Sequence, residues 1–98
     1  MRHHFLVCYD IADPTRLRKV HRVMRDFGDG IQLSVFACEL SPKDKAQLEE
    51  RLLRVLNQDV DQIIFFRLGP CKHGDDGPPH YAVLGKKMET SVDRSVIV

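Results

Sequence analysis

The sequence of 98 residues has no tryptophan, no long apolar run and almost no net charge, because its 15 lysines and arginines are nearly balanced by 14 aspartates and glutamates. No apolar stretch approaches the roughly twenty residues that are needed to cross a bilayer. The apolar part of residues 1–11 is also too short for a secretory signal, so we expect a cytoplasmic protein that does not enter a membrane. Because the net charge is only +1, an argument for nucleic-acid binding must depend on where the charges lie.

Cysteine is scarce as well. The three residues Cys8, Cys38 and Cys71 are an odd number without close spacing, which argues against a disulfide framework and favours buried or half-buried thiols. Cys71 and His73 form a C-x-H pair with His80 nearby, but a structural zinc site generally takes four ligands. The sequence offers no second close pair, so it does not favour zinc.

The remaining composition is that of an ordinary globular protein, with 43% hydrophobic and 30% charged residues. A chain of this length buries one hydrophobic core and lacks the material for two. We therefore predict a single domain over residues 1–84, followed by a polar tail over residues 85–98.

The first strand and the first helix are marked by strong local signals. Residues 3–9 are apolar and rich in strand formers, which is typical of a strand buried on both faces. Asp13 then supplies an N-cap, and Pro14 stands in the first helical turn. Apolar residues recur at helical spacing as far as Gly28, where we expect the helix to end.

The central part of the sequence predicts one or two further strands and a second helix. Asp29-Gly30 indicates a turn, and residues 31–40 are strand-like, either as one bent strand or as a tight hairpin. Ser41 is a capping serine followed by a proline, with an acid at the third helical position. An apolar stripe then extends the second helix to about Asn57.

The last part of the sequence begins with another strand. Residues 63–68 are strand-like and are followed by Gly69-Pro70, which we expect to end the strand. Residues 71–80 are rich in glycine, proline and aspartate, which predicts a loop. Residues 81–84 favour a short final strand ahead of the polar tail.

The order of these elements predicts the fold class. It is the βαββαβ pattern of an α+β ferredoxin-like sandwich, in which two helices cover one face of an antiparallel sheet. The other face of the sheet is then bare, and a bare apolar face invites aggregation. A second copy related by a two-fold axis is the simplest cover, so we predict a homodimer.

Asp10 is the main candidate for chemistry. It follows the first strand and precedes the first helix, so its carboxylate is expected at the sheet edge rather than in the core. A lone carboxylate is a poor magnesium site, but two copies of Asp10 at a dimer axis would share one ion. Such an ion would activate water and polarise a phosphodiester. The alternative is that Asp10 only shapes the turn.

Two neighbours of Asp10 have more ordinary interpretations. Asp13 is best explained as the N-cap of the helix, with an indirect contact to a metal at Asp10 as the alternative. Tyr9 alternates away from Asp10 along the strand, either into the core or toward a nucleotide.

The first helix carries a basic face. At about 100° per residue its apolar side chains occupy one arc, and the opposite arc holds the four cations Arg18, Lys19, Arg22 and Arg25. A dimer would present this stripe twice, which suits the phosphate backbone of a duplex. The alternative is an ordinary solvated helix face.

Arg16 differs from these cations because it falls within the apolar arc and is close in sequence to Asp10. We expect its guanidinium to point toward the strand ends. There it would contact a phosphate or neutralise paired aspartates, and the alternative is an arginine–aspartate ion pair that steadies the turn.

Taken together, these residues resemble the Cas-two family of CRISPR-associated proteins. The likeness depends on VCYDI at residues 7–11, Asp13, the basic helix, Gly28 and above all QLSVF at residues 32–36. Each motif is short, but their order and spacing make a chance match implausible. The resemblance covers residues 5–68, and the loop over residues 70–80 matches no motif of the family.

The resemblance implies a homodimer whose sheets pack face to face. A C-terminal strand, either residues 81–84 or the SVIV end, would cross to the partner's sheet. It also implies a nuclease that acts on RNA or double-stranded DNA with Mg²⁺ or Mn²⁺, and Asp10 would be the metal ligand at the dimer interface. Ser34 and Phe36 match positions near this site; Ser34 would contact phosphate or metal-bound water, and Phe36 would pack.

The resemblance further implies a role in CRISPR spacer acquisition. There the dimer binds DNA between the integrase subunits largely as a scaffold, which is the alternative to catalysis. Without the resemblance, a small-ligand regulator with the same fold would be a third interpretation, and it would require a concave apolar pocket.

Overall fold

The structure is a computed structural model that describes residues 1–71, 82–85 and 96–97. Within these residues, two helices and six strands follow one another in the order β1 His3–Asp10, α1 Pro14–Arg25, β2 Gly28–Gln32, β3 Val35–Leu40, α2 Pro42–Val55, β4 Gln62–Pro70, β5 Ala82–Val83 and β6 Val96–Ile97. No helix in the described parts is long and apolar enough to cross a membrane.

Four of the strands form one antiparallel sheet in the order β2-β3-β1-β4. The first strand therefore lies in the middle, hydrogen-bonded to β3 on one side and to β4 on the other. This order, with a helix after β1 and another after β3, confirms the predicted α+β ferredoxin-like fold. β5 and β6 pair in parallel as a separate two-stranded sheet within the same chain.

Both helices begin as the sequence predicts. The Asp13 carboxylate accepts a hydrogen bond from the backbone N–H of Arg16 at 2.9 Å. At the second helix, the Ser41 hydroxyl and the Asp44 carboxylate each accept from the other residue's backbone N–H, which is a complete capping box. These bonds satisfy N–H groups that have no partner inside the helix, so each helix start is defined locally.

The core lies between the helices and one face of the sheet. Every second residue of β1 is buried there, and the buried apolar set is Phe5, Val7, Tyr9, Val20, Val23, Met24, Phe36, Cys38, Leu40, Leu48 and Leu52. The apolar arcs predicted for both helices are confirmed, since they supply five of these residues. Phe36 is 1% exposed, as expected for a packing residue.

The opposite face of the sheet has no helix over it among the described residues. Antiparallel partners point to the same side of a sheet, so Ile64 lies beside Cys8 and Phe66 beside Leu6 on this open face. Ile64 is 39% exposed and Phe66 is 47% exposed. The sheet therefore presents uncovered apolar side chains where the sequence led us to expect a second copy.

Around Gly28 the structure differs from two predictions, the helix end at Gly28 and the turn at Asp29-Gly30. The helix ends at Arg25, and Gly28 begins β2 instead of stopping the helix. A Cβ atom at Gly28 would lie 2.5 Å from the Ala37 carbonyl oxygen and 2.5 Å from the Cys38 sulfur. Glycine is needed here because β2 and β3 approach closely, and the helix has already ended before it.

The predicted turn at Asp29-Gly30 is also wrong, because both residues lie inside β2 and pair with β3. The sequence left open whether residues 31–40 form a bent strand or a hairpin. The structure shows a hairpin, whose turn is at Leu33 and Ser34. β4 continues through Gly69 to Pro70, two residues beyond the predicted end. The loop predicted over residues 71–80 lies outside the described residues except for Cys71.

Candidate functional site

Asp10 is the last residue of β1 and is exposed. Alternation along the strand puts it on the same side as Cys8, and its partner on β4 is Gln62. Its carboxylate therefore belongs to the open face rather than to the helix-covered core. This position agrees with the prediction that Asp10 lies at the sheet edge.

The loop between β1 and α1 is held by Asp61, which precedes β4. One oxygen of its carboxylate accepts from the backbone N–H of Ala12 at 2.9 Å, and the other accepts from the backbone N–H of Asn57, also at 2.9 Å. The side chain of Asp61 is fully buried. It therefore connects the loop after Asp10 to the end of α2 and the start of β4.

Arg16 completes this cluster. Its Nε donates to Oδ2 of Asp61 at 2.8 Å, and its Nη2 donates to Oδ1 at 3.2 Å. The hydrogen bond from Arg16 is the largest effect holding the pKa of Asp61 well below its usual range, against the opposing effect of burial. The same bond raises the pKa of Arg16. Of the interpretations left open for Arg16, the structure shows the arginine–aspartate pair, with Asp61 as the partner.

The four hydrogen bonds to Asp61 decide which acid at this end could bind a metal ion. Two bonds on each oxygen use the acceptor capacity of a carboxylate, so Asp61 has no lone pair left for an ion. Asp13 is engaged as the N-cap of α1. Of the three acids Asp10, Asp13 and Asp61, only Asp10 has an exposed side chain without one of these bonds, and one carboxylate is too few for Mg²⁺, which takes about six oxygen ligands.

Tyr9 and Ser34 lie at the same end of the sheet. Tyr9 is 6% exposed, and its hydroxyl donates to the Leu33 carbonyl at 2.8 Å and lies 3.1 Å from Nδ1 of His21. Burial raises the pKa of Tyr9 to about 12. The backbone N–H of Tyr9 donates to the Ser34 carbonyl at 3.0 Å, so the β2–β3 turn is tied to the strand that carries Asp10.

The basic face of α1 is exposed as predicted: Arg18, Lys19, Arg22 and Arg25 all point to solvent. Three of these side chains, Arg18, Arg22 and Arg25, border a shallow groove of about 270 Å³ that Leu17, His21 and Leu33 also line. Leu33 is 62% exposed at its rim. The face combines exposed cations with a small apolar floor, which is a surface that phosphates and bases can both contact.

Sequence reasoning missed Asp61 and Leu33. Asp61 follows a polar stretch, Asn57 to Asp59, and nothing local distinguishes a buried carboxylate from a solvated one there. Its role depends on contacts with residues 45 and 49 positions away. Leu33 belongs to the QLSVF motif, but only the hairpin turn shows that its side chain is exposed.

Fold and site together define a ferredoxin-like α+β domain with an acidic strand end and a basic helix beside it. The model of the family described as CRISPR associated protein Cas2 matches residues 1–75. The chain therefore belongs to the Cas2 family, which confirms the resemblance seen in the sequence motifs.

Individual relatives agree with this assignment. The chain is 33% identical over 96 residues to the CRISPR-associated endoribonuclease Cas2 1 of Rhodospirillum rubrum, covering 98% of this chain and 91% of that protein. It is 31% identical to the CRISPR-associated endoribonuclease Cas2 of Geobacter sulfurreducens over the full length of both chains. The match thus extends through the residues beyond the family motifs.

Solved structures show the same likeness. The crystal structure of Streptococcus pyogenes Cas2 at pH 6.5 has a TM-score of 0.64 and 34% identity, covering 67% of this chain and 86% of that chain. A hypothetical protein from Thermus thermophilus has a TM-score of 0.74 and 26% identity, covering 93% of this chain and all of that chain. The ferredoxin-like fold is shared with both.

Proposed function

We propose that a homodimer of this chain binds nucleic acid in CRISPR spacer acquisition and that its paired Asp10 carboxylates support metal-dependent cleavage of phosphodiesters. One observation carries the proposal: Asp10 is exposed at the end of β1 on the same face as the uncovered apolar residues of β4. A second copy of the chain packed over that face would bring a second Asp10 toward the first. The relatives named above are CRISPR-associated endoribonucleases, which supports RNA as a substrate, with double-stranded DNA as the second candidate.

The open face supports the dimer. Ile64 and Phe66 adjoin Cys8 and Leu6 in one apolar patch, and their burial against a second sheet would remove apolar area from water. A two-fold axis is the ordinary way for a small sheet to cover itself. The sheets would then pack face to face, with Val96–Ile97 or Ala82–Val83 extending the contact.

The acidic pair would hold Mg²⁺ or Mn²⁺, which when bound lowers the pKa of a coordinated water and polarises the scissile phosphate. Each Asp10 would contribute carboxylate oxygens from its own subunit. Arg16 and Asp61 hold the loop that follows Asp10, so the orientation of the strand end does not depend on the metal. Ser34, on the turn bonded to Tyr9, would contact phosphate or metal-bound water from the side.

The basic face of α1 would bind the backbone of the nucleic acid. Arg18, Lys19, Arg22 and Arg25 are exposed and form no ion pair with the described residues, so they can exchange counterions for phosphates. Arg16 would contribute the part of its guanidinium that Asp61 leaves free, because its side chain is 26% exposed.

A second function, a DNA-binding scaffold without catalysis, is favoured by a different observation. Asp13 and Asp61 are already occupied within the subunit, so cleavage would depend on one carboxylate from each chain. A dimer that holds the two Asp10 residues apart would still bind duplex DNA through its helices. In that role its partners would be the CRISPR integrase subunits, and the metal would not be required.

A nuclease assay separates the two functions. Wild type, Asp10→Asn and the matched control Asp59→Asn, whose aspartate is also exposed but lies in the α2–β4 connection, are incubated with single-stranded RNA and with duplex DNA in Mg²⁺, Mn²⁺ or chelator. We expect metal-dependent cutting by wild type and Asp59→Asn and none by Asp10→Asn. Equal cutting by all three proteins would exclude Asp10 as the catalytic residue. Duplex binding without any cutting would establish the scaffold.

A further inference from the structure

A second group of possible metal ligands lies at the opposite end of β1 from Asp10. One ligand atom each of His4, Glu39 and Cys71 falls within 4.8 Å of the other two. Asp10 lies six positions after His4 along an extended strand, a distance of about 20 Å. The two places are therefore independent, and nothing in the proposed nuclease function requires the second one.

The backbone brings these three residues together from β1, β3 and the position directly after β4. His4 and Glu39 are direct partners in the pairing of β1 with β3, so their side chains lie side by side on the open face. Cys71 follows the last residue of β4, and its backbone N–H donates to the Arg2 carbonyl at 2.9 Å. The cluster thus lies where β1, β3 and β4 meet.

The imidazole of His4 is the unusual member of the group. His4 is only 7% exposed, and its Nδ1 has no hydrogen-bond partner among the residues that the structure describes. Buried polar atoms are nearly always paired, so an unpaired one requires an explanation, and an ion or a water molecule that completes it is one. The Glu39 carboxylate forms no ion pair with the described residues, so it too has acceptor capacity to offer.

We propose that His4, Glu39 and Cys71 bind a zinc ion, with a water molecule as fourth ligand. A nitrogen, a sulfur and a carboxylate oxygen are the donor set that Zn²⁺ takes, whereas Mg²⁺ prefers oxygen ligands alone. The ligand atoms are near enough for small side-chain rotations to place each about 2.0–2.3 Å from a common ion. The ion would be structural: it fixes the end of β4 to β1 and β3.

Metal binding by the purified protein tests this proposal. The protein is stripped with chelator under reducing conditions, then titrated with Zn²⁺ by calorimetry and with Co²⁺ by absorption spectroscopy, since a cobalt–thiolate bond gives its own charge-transfer band. The ligand variants are Cys71→Ser, Glu39→Gln and His4→Gln. The matched controls are Cys8→Ser, the other cysteine on the open face, and His3→Gln, the neighbouring histidine that faces the helix side of β1.

We expect one zinc per chain in wild type and in both controls, and affinity at least about tenfold weaker in each ligand variant. The cobalt–thiolate band should disappear in Cys71→Ser and persist in Cys8→Ser. Zinc should raise the melting temperature of wild type and the controls but not of Cys71→Ser or Glu39→Gln, which are partly exposed and should fold without metal. Asp10→Asn should bind zinc like wild type.

Two results would overturn the proposal. The first is absence of zinc binding by wild type, which would mean that water alone completes Nδ1 of His4. The second is equal zinc affinity in wild type and all three ligand variants, which would place the ion elsewhere. Neither result bears on the Asp10 assay, so a failure here is distinguishable from a failure of the nuclease proposal.

Discussion

The guanidinium of Arg16 donates two hydrogen bonds to the carboxylate of Asp61, at 2.8 and 3.2 Å, although the two residues are 45 positions apart in the chain. The pair lies beneath the loop that follows Asp10, and two backbone N–H groups complete it. A fully buried carboxylate is unfavourable unless it is paired and hydrogen-bonded, and here every acceptor position is filled. The geometry of the strand end therefore depends on a contact between distant parts of the chain.

This pair should make stability depend on pH. Because the folded pKa of Asp61 is lowered, mainly by the bond from Arg16, its stabilisation is complete above the unfolded pKa of about 3.9 and is lost as pH falls through the folded value. The free energy of unfolding of wild type, measured by urea denaturation, should therefore fall steeply below about pH 4. Asp61→Asn should be less stable at pH 7 and show a flatter dependence in that acid range.

The control for Asp61→Asn is Asp26→Asn, which removes an exposed ion pair with Arg51. Exposed pairs contribute little, so this variant should follow the wild-type curve closely. If Asp26→Asn flattened the pH dependence of stability in the acid range as much as Asp61→Asn does, the buried pair would not be the cause of that dependence.

Substitution of Gly28 should destabilise the β2–β3 hairpin. A new Cβ would collide with the Ala37 carbonyl oxygen and the Cys38 sulfur, so we expect Gly28→Ala to cost about 1–3 kcal/mol of unfolding free energy. Gly30→Ala is the matched control, because its Cβ would meet only the Phe36 ring at an ordinary 3.5 Å and should change stability by less than about 1 kcal/mol. Urea denaturation of both variants measures the difference, and equal losses would contradict the close-approach explanation.

A charge on the open face should disrupt the proposed dimer. Phe66→Glu puts a carboxylate among the uncovered side chains of β4, where burial against a second sheet would require its desolvation. We expect light scattering after size exclusion to give a dimer for wild type and a monomer for Phe66→Glu, with unchanged circular dichroism. Leu53→Glu, an exposed leucine on α2, should remain dimeric. A wild-type monomer at micromolar concentration would remove the basis for a shared Asp10 site.

Reversal of charge on α1 should weaken binding to nucleic acid. Arg18→Glu combined with Arg22→Glu should reduce duplex affinity by at least about tenfold and lower the slope of log affinity against log salt by about 2, since two phosphate contacts are lost. Lys43→Glu with Arg54→Glu is the matched control, because it reverses two exposed cations on the other helix. Fluorescence anisotropy at several salt concentrations measures both, and equal losses would mean that binding follows net charge rather than the α1 face.

Much of the fold could be predicted from the sequence because its signals are local. Asp13 and Ser41 cap helices through bonds that span three residues, and both caps are present. The prediction failed at Gly28 because glycine is found both at helix ends and where two strands approach closely. Gly28 was expected to end a helix, yet it lies in a strand because the neighbouring strand comes too close for a side chain.

The candidate site shows the same division. Asp10 and the basic face of α1 were predicted with their exposure, because strand alternation and helical periodicity decide which way these side chains point. The dimer and the C-terminal strand that would join it stay predictions, since both concern a second copy of the chain.

The sequence by itself determined the order of elements, the helix starts, the buried arcs and the family, all of which depend on residues near one another or on motif spacing. Only the tertiary structure decided that Arg16 pairs with Asp61, that the Asp61 carboxylate is fully used by hydrogen bonds, and that His4, Glu39 and Cys71 converge. The physical reason is that side-chain pairing across strands depends on register and on where loops close. A linear pattern of residues does not contain those distances.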